Sequence, residues 1–236
     1  MTAPNALSIS SRVSPWLSRL VYPLGSYALL PLYFGHIEVS GQEWLPRSGP
    51  TILAPTHRSR WDALIVPHAA GRLVSGRFLR FMVSANEMTG LQGWFIRRLG
   101  GFPVDPQRPG LESLRHTVDL LCQGEMLTIF PEGNIYRQPT VNPLKRGVAV
   151  AALQAQAKLT AATVKIVPMS IHYSDPYPHW GTTVQVKIGK PLEVRPYHQG
   201  PLKKASQRLT GDLEAALKDL HEVDCLRDRP AVMSVA

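Results

Sequence analysis

The residues of this chain that could do chemistry cluster in three short stretches. The first, LAPTHRSRWDALIV over residues 53–66, sets His57 and Asp62 five positions apart, with two arginines and Trp61 between them. A carboxylate that accepts from one imidazole nitrogen fixes the tautomer and leaves the other nitrogen free as a general base. The same letters also fit a helix start. Ser59-Arg60-Trp61-Asp62 is an S-x-x-D capping box, in which Ser59 caps the helix, Asp62 reaches back to its backbone N–H and His57 is a loop residue. The second stretch, TIFPEGNIYR over 128–137, ends an apolar run at Phe130 and Pro131, then presents Glu132 and Gly133, with Arg137 just beyond. A glutamate so placed either orients a hydroxylated substrate or is a turn carboxylate. The third, GWFIRRLGGFPVDP over 93–106, holds Arg97 and Arg98 beside an apolar patch. Adjacent guanidinium groups can clamp a phosphate, or they can cover a solvated helix face.

These stretches need a scaffold, and the intervening sequence describes one. HIEVSGQEWLP (36–46) reads as a short strand with a turn, and GPTILAP (49–55) as a buried strand that delivers the chain to His57. WDALIVPHAAG (61–71) is a short helix expected to stop near Pro67 to Gly71. LRFMVSA (79–85) and EMLTIFPEG (125–133) are strands, the latter running into a loop. Residues 90–105 have a helical middle and a glycine-rich end. Leu111, Leu114, Val118 and Leu121 share a helical face, and RGVAVAALQAQAK (146–158) is a small-residue helix suited to close packing. TVKIVPMSIHY (163–173) and TTVQVKIGKPLEV (182–194) are two more strands. Leu202, Leu209, Leu213, Leu217 and Leu220 mark a C-terminal amphipathic helix. Alternating strands and helices predict an α/β fold, a single domain with a mainly parallel or mixed sheet flanked by helices. In such sheets, sites gather at the carboxyl ends of strands, where His57 and Glu132 both fall.

At 236 residues the chain suits one good-sized core, and its 44% hydrophobic, 18% charged composition is that of a folded protein. A net charge of +9 favours anionic partners, and the scattered basic residues match no nucleic-acid module. Two distant cysteines, Cys122 and Cys225, fit no metal spacing and suit a reducing compartment. The N-terminus carries no clear signal peptide. It carries an apolar tract, WLSRLVYPLGSYALLPLYFG over 16–35, interrupted by Pro23, Gly25 and Pro31 and studded with Trp16, Tyr22, Tyr27 and Tyr33. Its uncharged run is too short to span a bilayer. The tract is read as one or two short helices in a membrane interface, with packing on the protein's own core as the alternative. The expected organisation is an apolar N-terminal helical segment over 1–35, an α/β domain over 36–225 and a frayed tail over 226–236.

Taken in order, the stretches resemble the glycerolipid acyltransferase family, which includes 1-acylglycerol-3-phosphate O-acyltransferases and glycerol-3-phosphate acyltransferases. The family's H-x4-D block is matched by His57 and Asp62, and its glycine-led F-I-R-R block by Gly93 with Phe95 to Arg98. Its F-P-E-G block is matched by Phe130 to Gly133, and its V-P-x-x-I strand by Val167 to Ile171. The resemblance covers about residues 35 to 195. It implies transfer of an acyl group from a thioester of CoA or acyl carrier protein to a glycerol hydroxyl, with no metal or bound cofactor. It implies His57 as general base and Asp62 as its orienter. Arg97, Arg98, Glu132, Gly133 and, less directly, Arg137 are implied at the acceptor, with Trp61 and Pro168 shaping the walls. Membrane lipids become partners and the cytoplasmic face of a membrane the expected location, peripheral or monotopic. No G-x-S-x-G nucleophile elbow is present, in keeping with direct transfer. Backbone N–H groups around Arg58 to Arg60 are candidate oxyanion donors. The sequence departs from the family pattern at Asn134-Ile135, where many relatives have Thr-Arg, and in SANEM (84–88), where relatives often carry a lysine. The expected acceptor is 1-acylglycerol-3-phosphate, giving phosphatidate; acylation of glycerol-3-phosphate or another lysolipid, or a non-catalytic lipid-binding role, are the alternatives.

Overall fold

The computed structural model describes residues 12–105 and 110–227, the side chains of 223–227 excepted. Residues 1–11 of the N-terminal segment and 228–236 of the tail lie outside the described residues. The strands are β1 (His36–Ser40), β2 (Thr51–Pro55), β3 (Leu79–Ser84), β4 (Gly101–Val104), β5 (Met126–Thr128), β6 (Lys165–Tyr173), β7 (Thr183–Ile188) and β8 (Leu192–Glu193). They form one sheet in the order β1-β7-β6-β2-β5-β3-β4, with β8 also paired to β6. β6, β2, β5, β3 and β4 are mutually parallel, whereas β7 and β8 run antiparallel to β6. The expected mixed, mainly parallel α/β sheet is therefore present.

The helices are α1 (Pro15–Leu24), α2 (Leu30–Tyr33), α3 (Asp62–Ala70), α4 (Arg72–Ser75), α5 (Gly90–Arg98), α6 (Leu111–Cys122), α7 (Gly147–Lys158) and α8 (Leu202–Arg227). Strand alternation divides the core in two. Ile52 and Ala54 of β2 point into a cluster with Leu121 of α6, Leu153 of α7 and Leu209, Leu213 and Leu217 of α8. Leu53 points the other way, into a cluster with Ile65 and Val66 of α3 and with Leu30 and Phe34. Covering on both faces explains why TILAP is apolar throughout and wholly buried.

α3 ends at Ala70, inside the expected stop, because Gly71 leaves helical geometry. One boundary differs from the sequence reading. α8 runs through Arg227, two residues past the expected domain boundary. The N-terminal tract is helical, and a π-helical turn over Gly25–Leu29 absorbs the proline and glycine interruptions. Its two proposed environments prove compatible. One face, with Leu17, Tyr22, Leu30 and Phe34, is buried on the domain, while Trp16, Leu20, Leu24, Tyr27 and Leu32 are exposed. No helix among the described residues is long and apolar enough to cross a membrane.

Candidate active site

His57 leaves the carboxyl end of β2, and Asp62 is the first residue of α3. The turn between them brings His57 Nδ1 to 2.8 Å from Asp62 Oδ2. An ionised carboxylate only accepts, so Nδ1 carries the proton and Nε2 presents a lone pair. The histidine side chain is 20% exposed while that of Asp62 is fully buried. Its ring stacks on Phe130 with centroids 3.9 Å apart, so the two strand ends that the sequence singled out meet here.

Burying Asp62 is tolerable because it is fully bonded. Oδ2 also accepts from the backbone N–H of Arg58 at 2.7 Å and of Ser59 at 2.9 Å. Oδ1 accepts from the Tyr173 hydroxyl at 2.7 Å, delivered by the carboxyl end of β6. Burial, and then the Asp62 charge, push the pKa of Tyr173 far above the ordinary tyrosine value, so it remains a donor. The back-bond of the S-x-x-D reading is present, since one oxygen binds the Ser59 N–H and the imidazole together, but the residue that caps α3 is Trp61 and not Ser59. The expected oxyanion donors need correction. The Arg58 and Ser59 N–H groups are spent on Asp62, and only Arg60 N–H lacks a partner among the described residues.

Glu132 also differs from expectation. It is buried, and its oxygens accept from the His57 backbone N–H (3.1 Å), the Arg58 guanidinium (2.8 and 3.1 Å) and the backbone and side-chain amides of Asn142 (3.0 and 3.2 Å). No lone pair is left for a substrate, so Glu132 holds the loop instead of touching the acceptor. Arg58 completes that bracket by donating to the carbonyls of His57, Tyr136 and Thr140. Its Nε donates to Nε2 of His221 on α8 at 3.2 Å. The buried pair therefore fixes the backbone on which the histidine stands.

The other expected residues are scattered. Gly133 adopts φ +74°, and a Cβ there would lie 2.5–2.7 Å from the Lys145 side chain, so the absent side chain makes room for a cation beside the loop. Arg137 is exposed, 4.7 Å from the centroid of Tyr177, and follows Tyr136, whose N–H donates to the His57 carbonyl. Arg97 and Arg98 are exposed on the last turn of α5, with Arg98 over the Trp94 ring. The register sets Gly101 level with Phe81 and, through it, with Thr128 and Leu53. The two arginines stand on α5 ahead of β4, whereas His57 follows the end of β2, and no bond or ring contact joins the pair to the histidine among the described residues. Pro168 is buried in β6 opposite Ala54, with Gly189 close against its ring. Trp61 is half-buried against Tyr33, centroids 4.3 Å apart, and joins the N-terminal segment to the loop. Arg60, 80% exposed, pairs with Glu87 at the rim. Among the described residues no cluster of His, Cys, Asp or Glu is arranged to hold a metal ion.

Arg58, Asn142, Tyr173 and His221 were missed from the sequence. One signal existed: His221 continues the i+4 series Leu209, Leu213, Leu217, a polar residue on an apolar stripe.

Comparison with known proteins bears on this geometry. The model of the acyltransferase family matches residues 36–172, more than half of the chain. A 1-acyl-sn-glycerol-3-phosphate acyltransferase of Bacillus subtilis is 27% identical over 197 residues, covering 79% of this chain and 88% of that protein. One of Streptococcus pneumoniae is 26% identical over 149 residues, covering 61% of this chain and 50% of that protein. In fold, the chain resembles the crystal structure of the 1-acyl-sn-glycerophosphate (LPA) acyltransferase of Thermotoga maritima, with TM-score 0.64 and 21% identity over 90% of this chain and 81% of that one.

Proposed function

The chain belongs to the acyltransferase family, and we propose that it moves a fatty acyl group from an acyl thioester to the free hydroxyl of 1-acylglycerol-3-phosphate, giving phosphatidate. The observation that carries this reading is His57, its tautomer fixed by a buried Asp62 and its Nε2 without a partner among the described residues. Relatives with 1-acyl-sn-glycerol-3-phosphate acyltransferase activity in their names support the acceptor.

In this mechanism the acceptor hydroxyl gives its proton to Nε2 as its oxygen attacks the thioester carbonyl. Asp62 stabilises the imidazolium and is not itself protonated, because Tyr173 and two backbone N–H groups keep it bonded as an anion. Collapse of the tetrahedral species breaks the acyl–sulfur bond, and the departing thiolate takes the proton from Nε2. The donor is acyl-CoA or acyl carrier protein, and no metal or bound cofactor takes part. Lys145, beside the Gly133 turn, and Arg137, next to the residue whose N–H binds the His57 carbonyl, are exposed cations on the segment that packs against the His57 loop, and we assign the acceptor phosphate to them in place of Arg97 and Arg98. The exposed apolar face of α1 and α2 rests on a membrane from which the lysolipid is drawn, and the excess positive charge favours an anionic surface.

The test is acyl transfer by purified protein in lipid vesicles, with acyl-CoA and acyl carrier protein each offered against lysophosphatidate, glycerol-3-phosphate and neutral lysolipids. Lysophosphatidate is expected to be the best acceptor, with Lys145→Ala raising KM for it about tenfold and leaving neutral lysolipids unaffected. Preference for a neutral acceptor would contradict the phosphate assignment.

A further inference from the structure

α8 lies outside the segment matched by the family model, yet one of its side chains reaches the catalytic loop. His221 is buried and makes two directed bonds. Its Nε2 accepts from Arg58 Nε at 3.2 Å, and its Nδ1 lies 2.8 Å from the Ser170 hydroxyl on β6. A guanidinium has no lone pair to offer, so the proton of neutral His221 must sit on Nδ1 and be donated to Ser170. Arg58 therefore sets the tautomer, and Ser170 accepts the Nδ1 proton and holds the ring in place. Pro168 and Ser170 alternate with Val167 and Met169, so β6 turns this hydroxyl toward α8.

Arg58 gives its remaining donors to Glu132 and to the carbonyls of His57, Tyr136 and Thr140. Only Nε depends on α8. Without an acceptor there, a buried cation keeps an unsatisfied donor, and its guanidinium plane is no longer held from that side. The same guanidinium holds Glu132, which binds the His57 N–H. We propose that His221, locked by Ser170, is a positioning residue for His57, acting through Arg58 and Glu132 to hold the base in register with its substrates. The proposal rests on the reading of His57 as the base. Burial and then the nearby Arg58, His172 and Lys187 charges lower the pKa of His221 to about 3, so it stays a neutral acceptor at the pH where the enzyme works.

The test compares kcat and KM for wild type, His221→Leu, His221→Gln and Ser170→Ala, each alone and in a His57→Ala background. Misplacing a base by a fraction of an ångström to an ångström costs up to about 10²-fold, so His221→Leu should lower kcat by about 10- to 100-fold with KM changed less than about threefold. His221→Gln, whose amide oxygen can accept from Arg58, should recover most of kcat, and Ser170→Ala should show a smaller loss. In the His57→Ala background, none of the three should cost more than about twofold further. Unchanged kcat in His221→Leu would overturn the proposal. So would a full loss repeated without His57, or losses in Gln and Ala variants that simply follow their melting temperatures. Should His221→Leu not fold, the Gln and Ala variants carry the same comparison. Wild-type activity in His57→Ala alone would instead remove the underlying reading of the base.

Discussion

At the scale of single residues, the site is built by giving every buried charge more than one task. Asp62 orients the imidazole and ties down the turn, and Glu132 pairs with Arg58 and holds the His57 N–H. This separates two roles for Glu132 that activity alone would confuse. Glu132→Ala strands a buried guanidinium, and breaking such a pair by removing one partner costs about 3–5 kcal/mol. Urea unfolding should report that loss together with a fall in kcat. A rise in KM at unchanged stability would instead restore a direct contact with the acceptor. The His57–Asp62 pair was legible from residue types and spacing, because both lie on one short turn. The role of Glu132 was not, because a strand-end carboxylate looks the same in sequence whether it faces solvent or a buried arginine. Its partner Arg58 stands 74 positions away and carries no local mark of burial.

At the scale of elements, the loop is gripped from three strands and from α8. β2 supplies His57, β5 leads to Phe130 and Glu132, β6 supplies Tyr173 and Ser170, and α8 supplies His221. The α8 contact has a signature in stability. The unfolded chain takes up a proton on His221 near pH 6.5, whereas the folded protein resists it until about pH 3. Stability should therefore fall as pH drops through that window, by up to about 1.4 kcal/mol per unit for this group. Arg58, His172 and Lys187 all press in the same direction. His68 and His116, also lowered chiefly by burial, add to the slope, so the informative quantity is a difference. Chemical unfolding between pH 4 and 7 should show a shallower pH dependence in His221→Gln, and parallel curves would refute the buried neutral state. The apolar stripe of α8 was readable from its leucine spacing. Leu111, by contrast, proved exposed at the first turn of α6, since helical periodicity does not say where a helix extends past its core.

At the scale of the whole molecule, one sheet divides the labour. Its carboxyl ends carry the chemistry, one face packs on α6, α7 and α8, and the other receives α3 and the inner side of the N-terminal helices. That arrangement was legible because alternating strands and helices admit few architectures, and a fully apolar β2 implies cover on both faces. What could not be read was which way the N-terminal tract turns its two apolar sides, since both are apolar in sequence. The outward side yields a prediction. Replacing Trp16, Leu20 and Leu24 with serine should weaken binding to anionic vesicles at least tenfold by sedimentation, while transfer to a water-soluble short-chain lysolipid persists. Unchanged vesicle binding would move the membrane contact elsewhere. Arg97 and Arg98 teach a related lesson: a block that matches a family pattern does not say where its side chains lie, and the pair stands exposed on α5 with no contact to His57 among the described residues. The most direct measurement of the central claim is the turnover of acyl thioester with lysophosphatidate by wild-type and His57→Ala protein, with the fold of both verified by circular dichroism. A loss of at least about 10²-fold with an intact fold is the expected result; turnover near the wild-type rate would contradict the assignment of His57 as the base.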